Sequence, residues 1–134
     1  MTRPLALIIE DNKEVAEVFG TILEMEAYEV AIVRSGETAV KYLADHTPAL
    51  VILDMYLPDA SGEELLLKIR RDARLVKTRV VIVTAFPQTT RFMAAKADTV
   101  LCKPLRLEQI RHIAARFYPT DRETPPEDVF LSSS

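Results

Sequence analysis

Cysteine occurs once, at Cys102, so no intrachain disulfide can form and no cysteine-based metal site is plausible. Long apolar runs are missing too. No stretch approaches the roughly 20 residues that span a bilayer, and the N-terminus has no signal-peptide hydrophobic region. Both absences favour a cytoplasmic chain with no membrane insertion. A basic excess is missing: 17 Lys and Arg against 20 Asp and Glu leave a net charge of −3, which gives no electrostatic reason to expect direct nucleic-acid binding. Histidine is limited to His46 and His112, neither with partners at catalytic spacing, and both are expected on helix surfaces or ends. There is no internal repeat. What remains is an ordinary soluble composition, 49% hydrophobic and 28% charged over 134 residues, enough for one domain with one core.

Short β-like runs alternate with helical periodicity, the pattern of an α/β fold with a parallel sheet. Strands are expected at Leu5–Ile9, Val30–Val33, Leu50–Leu53, Val80–Val83 and Thr99–Cys102. Val15, Val18, Phe19, Ile22 and Leu23 predict a helix from about Lys13 to Ala27. Ser35 offers an N-cap to a second helix with Ala39, Val40 and Leu43 buried. Ser61-Gly62-Glu63-Glu64 reads as a capping box before the core stripe Leu65, Leu66 and Ile69. A shorter helix is expected over Gln88–Ala97, and a last one over Arg106–Tyr118. The domain is expected to span 1–119. Residues 120–134, acidic and serine-rich, read as a mobile tail whose one apolar cluster is Val129-Phe130-Leu131. Met25, Met55 and Met93 are expected to pack in the core or at a site edge.

Each of four strands ends in a reactive group. The first runs into Glu10-Asp11, the third into Asp54, the fourth into Thr84 and the fifth into Lys103-Pro104. If the strands are parallel, three carboxylates, a hydroxyl and an ammonium converge on one sheet edge. Two like charges about 4 Å apart repel by about 1 kcal/mol in water and about 4 kcal/mol near a protein surface, so the carboxylates need compensation. An all-oxygen donor set suits Mg²⁺, which keeps several waters and takes one or two carboxylates plus phosphate oxygens. Lys103 and Thr84 can donate to phosphoryl oxygens, and Asp54 can serve as nucleophile. Cys102 beside Lys103 could be a reactive thiol, but its place in a strand predicts a buried, inert side chain.

With Glu10-Asp11, Ser35-Gly36-Glu37, Asp54 through Pro58 to Gly62, Thr84-Ala85 and Lys103-Pro104, the chain from Leu5 to Tyr118 resembles a response-regulator receiver domain of two-component signalling. The resemblance implies a flavodoxin-like, doubly wound sheet of five parallel strands in order 2-1-3-4-5, helices on both faces, an order known from the chemotaxis member of the family. It implies that Asp54 takes a phosphoryl group from a phosphohistidine on a histidine kinase or histidine phosphotransfer protein. Asp11, Asp54 and the Tyr56 backbone carbonyl would ligate Mg²⁺, with Glu10 acting mainly through bound water. Thr84 and Lys103 would bind the phosphoryl oxygens, and Pro104 would follow a cis peptide bond. The phosphorylated state would control binding of an output protein, with homodimerisation left open. The chain would then be a signalling module, assisting only its own phosphorylation and dephosphorylation.

Two features depart from the family. Val100 stands where receivers carry a Tyr or Phe switch, and valine has one stiff torsion and no polar tip. The Thr84–Lys103 stretch is also a few residues short. Tyr56 and Phe86 flank the site where the family tunes access of hydrolytic water, and these aromatics are expected to lengthen the acyl-phosphate lifetime. Two rivals remain. One is a phosphorylation-independent scaffold, which Asp54, Thr84 and Lys103 count against and which Val100 and the short stretch leave open. The other is a metal-dependent phosphohydrolase, which lacks a second acid two residues after Asp54.

Overall fold

A computed structural model describes residues 2–88 and 95–120. Five strands, β1 (Leu5–Ile9), β2 (Glu29–Val33), β3 (Leu50–Asp54), β4 (Arg79–Thr84) and β5 (Thr99–Cys102), form one sheet in the order 2-1-3-4-5. Every neighbouring pair is parallel. The described residues include four α-helices: α1 (Lys13–Met25), α2 (Gly36–Asp45), α3 (Gly62–Arg71) and α4 (Leu107–Arg116). The helix expected over Gln88–Ala97 falls largely on 89–94, and the expected tail on 121–134, both outside the described residues.

Why the central strands read as unbroken apolar runs is clear from the two cores. Ala6, Ile8, Leu50, Ile52, Val81 and Val83 face one way, against α1 and α4. Leu7, Ile9, Val51, Leu53, Val80 and Ile82 face the other, against α2 and α3. A strand covered on both faces needs apolar residues at every position, unlike one with a wet face.

Local chemistry starts the helices. Asn12 Oδ1 accepts from Val15 N at 2.9 Å and caps α1, a role hidden behind the adjacent acids in the sequence. Ser35 caps α2, and Thr38 returns the bond to the Ser35 backbone, completing a capping box. At α3 only half of the expected box forms: Ser61 Oγ accepts from Glu64 N at 3.1 Å, without the return bond from the Glu64 carboxylate.

Several burial expectations fail at element edges. Met25 is 74% exposed because α1 stops there, the chain leaving through Ala27 in a left-handed conformation at φ 74°. Val18 and Val40 are also exposed: the buried stripe of α2 is Gly36, Ala39 and Leu43, with half-buried Tyr42 beside them. Cys102 is exposed rather than buried, since β5 pairs on one side only and ends at this residue. Met55 is buried as expected, whereas Met93 lies outside the described residues. His46 and His112 are exposed, at the end of α2 and within α4.

Candidate functional site

Register brings the strand-end residues together. Ile9 pairs with Leu53, so Glu10 comes level with Asp54 at the C-terminal edge. Thr84 pairs with Cys102, so Lys103 emerges one step beyond it. The sheet order reverses between β1 and β3, where open α/β sheets form their ligand crevice.

Three side chains meet there. Lys103 Nζ lies 3.4 Å from Glu10 Oε1 and 3.6 Å from Asp54 Oδ1, one cation between two nearly buried carboxylates. Burial pushes the Glu10 carboxyl above its usual range, and the charge of Asp54 adds to that. The Asn12 amide, donating to Glu10 Oε2 at 3.1 Å, and Lys103 act in the opposite direction without cancelling the rise. The Asp11 side chain is exposed, and its backbone carbonyl accepts from Arg34 Nε at 3.1 Å. Thr84 is fully buried, its Oγ1 accepting from Phe86 N at 3.0 Å. Lys103 N donates to Thr84 O at 2.8 Å, and the Lys103–Pro104 peptide is cis, as the resemblance implies.

The loop after Asp54 is held from several sides. Tyr56 N donates to Asp54 Oδ1 at 3.4 Å. Gly62 N donates to Met55 O at 3.0 Å, an approach close enough that a Cβ on Gly62 would sit 2.8 Å from Met55 Cα. Asp59 is a residue that sequence reasoning missed. Its carboxylate accepts from Gly36 N at 2.7 Å and Glu37 N at 3.0 Å, tying the loop to the N-terminus of α2. Those two amides hold the Asp59 carboxyl below its usual range. The Tyr56 and Phe86 rings meet edge to face, centroids 6.0 Å apart, joining the loops after Asp54 and Thr84. Val100 is half-buried against the α2–α3 core.

The donor set suits a hard divalent cation: oxygen atoms only, with two crowded carboxylates sharing one ammonium. Among the described residues, no group of three or more His, Cys, Asp or Glu side chains is gathered as a metal cage. A cation bound here would therefore draw on few protein ligands and keep waters, the habit of Mg²⁺.

Residues 6–115 match the family profile of the response regulator receiver domain. Over 102 residues the chain is 35% identical to the polar-differentiation response regulator DivK of Brucella ovis, covering 74% of this chain and 83% of DivK. It is 28% identical over 128 residues to the phosphate regulon transcriptional regulatory protein PhoB of Pseudomonas aeruginosa, covering 90% of this chain but only 56% of PhoB. A CheY-like receiver domain from Methylobacillus flagellatus superposes with a TM-score of 0.79 at 27% identity, covering 87% of this chain and 99% of that one.

Proposed function

The chain belongs to the response regulator receiver domain family, the phosphoacceptor module of two-component signalling, and from that premise we propose that Asp54 is its phosphoacceptor. The observation that carries this reading is the Lys103 ammonium shared between Asp54 and Glu10 at the sheet's switch point. An Asp54 carboxylate oxygen attacks the phosphorus of a phosphohistidine. The new P–O bond forms as the N–P bond breaks, and the imidazole nitrogen leaves with the electron pair. Lys103 neutralises the charge arriving at Asp54, moving from carboxylate to phosphoryl oxygen. The Thr84 hydroxyl accepts from Phe86 N and keeps its own proton to donate to a phosphoryl oxygen. Since Thr84 is buried, that donation requires the loop after β4 to shift, which makes phosphorylation a conformational event.

Receiver domains bind Mg²⁺ or a similar divalent ion at the phosphorylation site, and interact with histidine kinases and output proteins. In this chain Asp11, Asp54 and the Tyr56 carbonyl would hold the cation, with Glu10 acting through water. The cation supplies charge neutralisation for the incoming phosphoryl group. We assign residues 1–119 to the receiver unit, place it in the cytoplasm beside its phosphodonor, and limit its catalysis to its own phosphorylation and dephosphorylation. PhoB is matched over only 56% of its length, so its transcriptional role is not transferred.

The test uses a small phosphodonor with Mg²⁺. A stoichiometric, base-labile mass gain absent from Asp54→Asn is expected. No adduct would favour the scaffold, and sustained turnover the phosphohydrolase. The Tyr56–Phe86 contact supports these rings as a screen against hydrolytic water. Phe86→Ala should lose phosphate several-fold faster than the parent, and equal or slower loss discards the screen.

A further inference from the structure

At the end of the sheet opposite Asp54, Arg70, Arg74, Lys77, Arg79, Lys96 and Arg116 line a single groove. Asp98 is the acid in that lining, and its carboxylate accepts from Arg70 at 3.2 Å, Arg79 at 3.1 Å and Val80 N at 2.8 Å. Arg74 turns to Asp72 at 2.8 Å and to Leu43 O at 2.7 Å. With Asp98 and Asp72 set against them, the cations still leave a positive excess, on a chain whose net charge is −3. A basic groove on an acidic molecule attracts an anion.

The chain supplies one. Pro119 and Thr120 form part of the groove wall, so the described residues end at the groove. Residues 121–134 then carry Asp121, Glu123, Glu127 and Asp128 against Arg122 alone, followed by Val129-Phe130-Leu131. The apolar triplet also has a counterpart: Val76 in the wall is 72% exposed, and the exposed ring of Tyr118 lies in the same lining. An extended chain advances about 3.3 Å per residue, so Val129 can reach up to about 30 Å from Thr120.

We propose that residues 121–134 dock in this groove of the same molecule, the four acids against its lysines and arginines and the apolar triplet against Val76. Tethering at Thr120 gives the segment an effective concentration in the millimolar range, so individually weak surface contacts suffice.

Full-length variants test the contact. In low salt, chymotryptic cleavage at Phe130 should run several-fold faster in Lys77→Glu/Lys96→Glu than in the parent, with amide resonances of Ala95–Asp98 shifted. Neutralising the acids with Asp121→Asn/Glu123→Gln/Glu127→Gln/Asp128→Asn should do the same. High salt should bring the parent to the variants' rate, because surface charge contacts are screened. Equal rates in parent and variants overturn the proposal, as does protection that grows with protein concentration, which would assign the groove to a second copy. Asp54 phosphorylation should be unchanged throughout, which separates this result from the fate of the phosphoacceptor reading.

Discussion

Asp59 shows what one carboxylate can do from a loop. It sits five residues past Asp54, and its partners are the Gly36 and Glu37 amides, two of the donors that a helix start leaves unsatisfied. Because those bonds hold its folded carboxyl below the usual range, its stabilisation is fully present above the unfolded value near about 3.9. It is lost as pH falls through the folded value. Asp59→Asn should melt below the parent at neutral pH, with the gap closing in acid. A gap that persists in acid would mean that packing, not charge, holds the loop. Asp54 and Lys103 were legible in the sequence because each stands directly after an apolar run. Asp59 was not, because its meaning lies in amides 23 and 22 residues away.

At the scale of elements, strands were legible and edges were not. Doubly covered strands announce themselves by unbroken hydrophobicity, whereas Met25, Val40 and Cys102 turn on where a neighbouring element stops. Tyr28 illustrates a link that no local pattern shows. It is fully buried just before β2, and its hydroxyl donates to Ala114 O in α4 at 2.7 Å. The Tyr118 amide, one helical turn beyond Ala114, instead donates to Ala115 O, so Tyr28 serves a carbonyl that the end of α4 leaves over. Tyr28→Phe keeps the ring and strands that carbonyl, at a cost of about 1–2 kcal/mol. Urea unfolding should show a lower midpoint with an unchanged slope. An unmoved midpoint would show that water reaches Ala114 O.

Over the whole molecule, charge is divided between the two ends of the sheet. The C-terminal edge gathers Glu10 and Asp54 around Lys103, while the opposite end holds the basic groove. The parallel sheet imposes the first half of this division, since all strand ends of one kind fall on one side. Burying a carboxylate at this edge costs folding free energy, which the raised Glu10 carboxyl records, and the charge of Asp54 adds to it. A ligand that binds the folded chain and not the unfolded one must therefore stabilise it. At a hundredfold excess over its dissociation constant, the gain is about 2.7 kcal/mol. For a chain of this size that is a rise of several degrees in Tm. Mg²⁺ should raise the Tm of the parent by that order, and Asp54→Asn should shrink the rise because one ligand loses its charge. The metal-free Asp54→Asn protein should itself melt higher than the metal-free parent, since neutralising Asp54 relieves its repulsion of Glu10. A Tm indifferent to Mg²⁺, or an equal rise in both proteins, would remove the edge as a cation site and leave Lys103 as its only neutralising charge.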